Sequence, residues 1–361
     1  MTELDKIKAK LLAKKKAPSK LRGLSCGSSL GNIACTGDPA IAWPMGSYCL
    51  FVGDSNSGKS FLALASLAEA CRNKDFANYR LIYDGPEYGA KEQLLVKFGG
   101  KLKARLEARH SRTVEEFYYS LDEDCDRNKP FVRVLDSMDV LTVGADDKKF
   151  QKQKKAFLAG KEEKGSYGMG KARLNSDNLR KFLMPLQEKG SILIIINQTR
   201  SDIGFFAMPG QKTHSGGLSL GFYADIEMWS SIRKRIKRKV RDKDRHIGNL
   251  CKLTVKRSRI TGREASCEVP IFWSSGIDDV GSMVEWLIEE KHWKRKEGKI
   301  IAEEFDFRGS LDTVVRAIEE PGSVLGTESG PGREKELRDI VAEVWHDIQS
   351  ECEVARKPRY V

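Results

Sequence analysis

Residues 53–61 read Gly53-Asp54-Ser55-Asn56-Ser57-Gly58-Lys59-Ser60-Phe61, a complete G-x-x-x-x-G-K-S pattern. The two glycines let successive backbone N–H groups curl around phosphate oxygens. The helix expected to open behind them adds the positive end of its dipole. Lys59 supplies a point charge for the β- and γ-phosphates, and the Ser60 hydroxyl is suited to Mg2+. ATP with Mg2+ is the ligand this chemistry takes. A second acidic group must hold the metal through water. Asp136, which ends the apolar run Phe131-Val132-Arg133-Val134-Leu135, stands where one is expected. An aspartate at a strand end is also a common turn starter, so Asp136 gains this meaning only from the phosphate loop before it.

The elements that must position these groups follow from the apolar pattern. Tyr48–Val52 is a short apolar run that feeds the loop, and Phe61–Arg72 carries helical spacing after it. Further strand-like runs cover Arg80–Asp84, Phe131–Asp136 and Ser191–Asn197, with helical stretches between them. Nearly continuous apolar strands alternating with helices predict an α/β core, a mostly parallel sheet covered on both faces. Asp225–Trp229, Leu250–Ser258 and Ala265–Trp273 follow without intervening helices and read as an antiparallel extension. Two stretches break the rhythm and are expected to be irregular: Lys-rich Gly144–Lys171 and glycine-containing Thr199–Gly217. After Gly281 the chain reads as a small α-rich domain, interrupted by the Gly-, Pro- and Ser-rich Pro321–Gly332. The division expected is a basic N-terminal arm over 1–24, an ATPase core over 25–280 and a C-terminal domain over 281–361.

Lys and Arg outnumber Asp and Glu by 63 to 51, a net charge of +12, which favours a polyanionic partner, nucleic acid before membrane. The densest basic run is Arg233-Lys234-Arg235-Ile236-Lys237-Arg238-Lys239 with Arg241, Lys243 and Arg245. Lying between two expected strands, it reads as a hairpin tip that could hold duplex DNA by charge alone; a solvated basic face is the plain alternative. The first twenty residues read as a basic amphipathic helix, either a solvated arm or a piece that docks on a neighbouring subunit. The eight cysteines form no C-x-x-C pair and fall mostly in apolar patterns, which suits reduced thiols and a cytoplasmic location and argues against zinc. No apolar run is long enough to span a bilayer, so no membrane partner is expected.

Several segments resemble RecA-family recombinases, and they occur in that family's order. They are Ser25-Cys26-Gly27-Ser28-Ser29-Leu30, Val134-Leu135-Asp136-Ser137, Ile194-Ile195-Ile196-Asn197-Gln198-Thr199-Arg200, and Ser215-Gly216-Gly217-Leu218 with Phe222-Tyr223-Ala224. The resemblance runs from about Leu21 to about Lys299. Tyr83-Asp84 before Glu87-Tyr88-Gly89, and Lys256-Arg257-Ser258-Arg259, are similar to the phage UvsX-type branch, so the cytoplasm is that of a bacterium or of a phage's host.

The resemblance implies roles. Glu87 takes the place of the catalytic glutamate that activates the attacking water, although Asp84-Gly85-Pro86-Glu87 is one residue longer than usual and leaves Asp84 as a rival. Gln198 resembles the residue that senses the γ-phosphate. Arg257 and Arg259 resemble paired basic residues that reach the γ-phosphate of a neighbouring subunit. The two irregular stretches fall where the family has its DNA-binding loops, which assigns Lys164, Lys171 and Arg173 to phosphates and Phe205, Phe206 and Lys212 to a single strand. Phe205-Phe206 folded back into the core is the competing reading. Arg233, Lys234, Arg235, Lys237 and Arg238 become a second site for duplex DNA. The family's adenine-stacking tyrosine is replaced near Leu94, and the chain ends basic (Arg356-Lys357-Pro358-Arg359) where bacterial members carry an acidic tail. The implied function is an ATP-dependent recombinase that forms homo-oligomeric helical filaments on single-stranded DNA and pairs it with a duplex, with mediator and ssDNA-binding proteins as further partners. A RecA-core helicase, or a nucleotide-binding mediator without turnover, are the alternatives.

Overall fold

The computed structural model describes residues 21–85, 96–158, 170–201, 212–323, 332–354 and 356. After β1 (Gly23–Leu24), α1 (Ser29–Thr36) and β2 (Trp43–Pro44), strand β3 (Tyr48–Gly53) leads into α2 (Lys59–Arg72). Then come β4 (Arg80–Asp84), α3 (Gly100–Arg105), β5 (Leu106–Arg109), α4 (Val114–Asp126), β6 (Phe131–Leu135), α5 (Gly144–Leu158), α6 (Gly170–Lys189) and β7 (Ile192–Ser201). The sheet region closes with β8 (Lys212–His214), α7 (Leu218–Tyr223), β9 (Ile226–Val240), β10 (Lys243–Ser258), β11 (Ala265–Phe272) and β12 (Gly276–Ile277). Last come α8 (Asp279–Glu289), β13 (Lys294–Lys296), β14 (Lys299–Ala302), β15 (Phe307–Gly309), α9 (Leu311–Glu319) and α10 (Glu334–Glu351).

One sheet runs in the order β12-β11-β10-β9-β3-β7-β6-β4-β5, with β8 paired to β7. From β9 to β5 every neighbouring pair is parallel, whereas β9 to β12 pair antiparallel, the mixed sheet expected of the sequence. The apolar runs are continuous because alternate residues feed opposite faces. Cys49, Phe51, Val132, Val134, Ile194 and Ile196 pack on one face with Leu62 and Leu67 of α2. Leu50, Val52, Leu135, Leu193 and Ile195 pack on the other with Phe117 and Leu121 of α4 and Leu179, Phe182 and Leu186 of α6. Burying each such side chain stabilises by roughly 1.5–3 kcal/mol.

A third apolar cluster joins Val280, Met283, Val284 and Leu287 of α8 to Val314 and Ile318 of α9, Leu337 and Val341 of α10, and Leu30 and Ile33 of α1. The C-terminal region is α-rich as expected, but it also holds the three-stranded antiparallel sheet β13-β14-β15. All eight cysteines are free thiols, and burial pushes Cys26 up to about 12, which keeps it inert. Among the described residues no helix is long and apolar enough to cross a membrane.

Three expectations about irregular backbone are corrected. Residues 144–158 are not a loop but helix α5, since Lys, Gln and Ala are good helix formers whatever their polarity. β7 runs on to Ser201 and β8 pairs back on it, Thr199 opposite His214 and Ser201 opposite Lys212, so both flanks of the second stretch are paired strand, and 202–211 lie outside the described residues. The strand expected to stop at Trp229 continues to Val240, because backbone pairing persists where apolar alternation ends. Its two-residue turn is Arg241-Asp242, with φ of 49° and 58°, the left-handed pair of a type I′ hairpin.

Beside the parallel strands lies a buried charge network. Arg133 is fully buried in β6 and donates to Asp84 (2.6 Å) and Asp124 (2.8 Å), and Arg80 and Arg109 each donate to Asp124 at 2.7 Å. Removing one member of such a pair leaves an uncompensated buried charge. Arg133→Ala is therefore expected to lower stability by about 3–5 kcal/mol, read as a fall in the urea midpoint at an unchanged slope.

Candidate nucleotide site and the loops tied to it

The functional side chains gather outside the carboxyl ends of the parallel strands, where open α/β sheets bind ligands. β3 ends in the phosphate loop, β4 in Asp84 and β6 just before Asp136, while Asn197-Gln198 lie within β7 level with the end of β3. The registers set Gly53 opposite Gln198 on one side and opposite Ser230 on the other.

The loop is braced from within and from behind. Lys59, almost wholly buried, donates to the carbonyls of Gly53 (2.8 Å) and Asp54 (2.5 Å). The Ser57 hydroxyl also donates to the Asp54 carbonyl, and the Ser230 hydroxyl of β9 donates to the Ser57 carbonyl. Gly58 has φ of +88°, and a Cβ there would come within 2.7 Å of Ile271, so glycine is required before α2. Ser55 and Asn56 face solvent at the loop's outer turn, Ser60 is half-buried in the first turn of α2, and Phe61 stacks on Phe98 at 4.9 Å. The Asp136 carboxylate is buried at the end of β6 and accepts from the Tyr83 hydroxyl at 2.5 Å. Ser60 and Asp136 are hard oxygen donors of the kind Mg2+ prefers.

Of the two acidic rivals, the structure describes Asp84, which ends β4. Asp84 is fully buried: one oxygen accepts from Ser111 N (2.9 Å), the other from the Ser111 hydroxyl (2.7 Å) and Arg133 (2.6 Å). A carboxylate committed in this way cannot reach a water on a phosphate, so its role is structural. Glu87 lies outside the described residues, as do Lys164, Phe205 and Phe206.

The remaining predicted residues divide into two groups. Near the phosphate loop, Gln198 is exposed within β7, its N–H donating to Asp139 (2.5 Å). Lys212 turns toward the loop and bonds both oxygens of Asp54 (2.7 and 2.6 Å). The Lys171 ammonium bonds the carbonyls of Met138 (3.2 Å) and Asp139 (3.0 Å), whereas Arg173 is exposed beside Asp177 (3.6 Å). Elsewhere, Lys234, Arg235 and Arg238 are exposed on the β9–β10 hairpin; Arg233 pairs with Glu268 (3.4 Å) and Lys237 with Asp244 (3.7 Å). Arg257 and Arg259 both donate to the Phe222 carbonyl (3.0 and 2.8 Å). Arg257 pairs with Glu227, itself opposite Leu50, so these arginines sit toward the amino end of β3, roughly 10 Å along the strand from Gly53.

Two groups escaped the sequence reading. Asp139 joins the stems of the second loop, accepting from Gln198 N and from the Ser215 hydroxyl. Nothing in its local sequence marks it. Trp273 is half-exposed and packs against His246 with the rings tilted by 58° (centroids 4.4 Å apart); His246 bonds Asn249, whose amide reaches the Asn56 carbonyl (3.4 Å). An indole at the mouth of the phosphate loop can take a base on its face, and its strand-end position was the available signal.

With this geometry in view, the comparisons are consistent with one another. The RecA N-terminal domain family matches residues 136–278, the stretch from the end of β6 to the end of the sheet. The chain is 28% identical over 247 residues to Protein RecA of Chlorobium limicola, covering 68% of this chain and 64% of that protein. It is 27% identical over 278 residues to Protein RecA of Helicobacter pylori, covering 76% of this chain and 72% of that one. The chain is thus similar to RecA proteins over about two thirds of its length. The match spans just under two thirds of the Chlorobium protein's length. The phosphate-loop strand and the antiparallel extension belong to one continuous sheet. If Trp273 stacks the base, Trp273→Ala should raise KM for ATP about tenfold with kcat changed little, since base stacking contributes ~1–3 kcal/mol; an unchanged KM would remove it from the site.

Proposed function

We propose that the chain is an ATP-dependent recombinase: it polymerises on single-stranded DNA and pairs that strand with a homologous duplex. The observation that carries this reading is the joining of the phosphate loop to the strand that enters the second loop, Gln198 of β7 lying directly beside Gly53. The similarity to RecA proteins supports it. Lys59 would hold the β- and γ-phosphates, Ser60 and Asp136 would hold Mg2+, and Glu87 would orient the attacking water. The metal supplies charge neutralisation at the phosphates.

The place of Arg257 and Arg259, away from their own phosphate loop, suits cations offered to a second copy. Hydrolysis is then completed only at a subunit interface. Single-stranded DNA is assigned to the segments 159–171 and 199–217, where Phe205 and Phe206 would stack on bases, and the duplex to the basic hairpin Arg233–Arg245.

Electron microscopy with ssDNA and a slowly hydrolysed ATP analogue tests the assembly. Helical filaments are expected; closed six-membered rings would favour a helicase. Lys59→Ala should abolish ATP turnover with the fold intact by circular dichroism, and undiminished ATPase would overturn the site. An Arg257→Ala, Arg259→Ala double variant should lose DNA-stimulated ATPase and regain part of it when mixed with Glu87→Gln. Mixing pairs an intact Glu87 on one copy with intact arginines on the next, so failure to rescue between co-assembling proteins would return the arginines to a surface role. Neutralising Arg233, Lys234, Arg235, Lys237 and Arg238 together should spare ssDNA-dependent ATPase and block strand exchange.

A further inference from the structure

Asp54 belongs to two places at once. Its carbonyl receives the Lys59 ammonium and the Ser57 hydroxyl inside the phosphate loop. Its carboxylate points the other way and receives Thr199 Oγ1 (2.5 Å) and Lys212 Nζ (2.7 and 2.6 Å). Thr199 lies on β7, the strand that enters the 202–211 segment, and Lys212 is the first residue of β8, the strand that leaves it. Both stems of that hairpin are therefore fastened to a single carboxylate of the phosphate loop. Burial works against a charge on Asp54, but the bonds from Lys212 and Thr199 outweigh it and hold the carboxyl below its ordinary value.

We propose that Asp54 and Lys212 form a charge latch through which nucleotide occupancy sets how firmly the second DNA loop is held. The inference rests on the nucleotide- and DNA-binding reading above and adds to it a second link, ionic and separate from Gln198. The physics is direct. A bound triphosphate brings several negative charges to the loop that already carries Asp54, which strengthens the pull on the Lys212 ammonium. Lys212 in turn fixes the start of β8 and with it the exit of the loop. By linkage, DNA that fixes the loop must favour nucleotide by the same factor. Asp54 and Lys212 keep about a third and a half of their side-chain surface exposed, so the latch is soft enough to respond to a nearby charge.

The test measures the ssDNA dissociation constant of the full chain by fluorescence anisotropy, with and without a slowly hydrolysed ATP analogue and Mg2+. Nucleotide binding is followed separately with a fluorescent analogue. In the wild type the analogue should tighten DNA binding by a factor in the usual coupling range of about 5–150. Asp54→Asn and Lys212→Gln should each cut that factor at least threefold, and the double variant should cut it no further, because both break one contact. Lys212→Arg and Asp54→Glu should keep most of it. Single variants that couple as the wild type does, or a double variant that loses the product of the two single effects, would overturn the latch. So would a Lys212→Arg protein as uncoupled as Lys212→Gln. Should Asp54→Asn bind no nucleotide, the two Lys212 variants decide. A wild type that binds neither nucleotide nor ssDNA would sink the functional reading and the latch with it, whereas a coupled wild type with fully coupled variants sinks the latch alone.

Discussion

The parallel register of β3 is the constraint on which the other functional relations depend. Gly53 faces Gln198 across one side and Ser230 across the other. Through β7 the phosphate loop meets the strand that enters the 202–211 segment, and through β9 it meets the strand that extends into the basic hairpin. A slip of one residue would exchange the faces of Leu50 and Phe51 and move every one of these partners, so the two packed faces that fix the register also fix the chemistry.

Charge is used in three different ways in this molecule. In the interior, Arg133, Asp84 and Asp124 are dry, mutually bonded and committed to holding β4, β6 and α4 together. At the carboxyl edge, Asp54 and Lys212 are half-wet and hold two loops. The surface cations of the hairpin have acidic partners for only some of their number, Glu268 for Arg233, Asp244 for Lys237 and Asp242 for Lys239. Only the last group offers charge to a polyanion at little desolvation cost, which matches the assignment of duplex DNA to it. The same distinction removes Asp84 from the chemistry, since a carboxylate inside the dry network has no oxygen to spare.

The two loops and the nucleotide share a small set of anchors. Asp139 collects the Gln198 N–H and the Ser215 hydroxyl, while its carbonyl and that of Met138 receive Lys171 from the start of α6. Gly217, at φ +94°, lies so close to Ala172 that a Cβ would meet its Cβ at 2.7 Å, which ties the second loop's exit to the first loop's exit. A change at one of these stems is therefore felt at the other, without any element having to move far.

The sequence by itself determined the elements whose signal is local. The phosphate loop is a backbone shape written in its own glycines, and the strands that flank it are apolar runs that two-sided burial makes continuous. The parallel core, the antiparallel extension, Asp136 at a strand end and the basic hairpin tip followed from spacing alone. What only the tertiary structure decided is pairing across long separations. That β9 and β10 continue to Val240 and Lys243 is a matter of one backbone finding another after the apolar pattern has stopped. That residues 144–158 are helical reflects the propensity of Lys, Gln and Ala, which polarity had masked. Asp84 and Glu87 are both carboxylates close in sequence, and only the burial of Arg133, forty-nine residues from Asp84, shows that the first is spent on structure. Asp54 and Lys212 stand 158 residues apart, and no local pattern could bring them together; the fold does so because β7 lies next to β3 and β8 folds back upon β7.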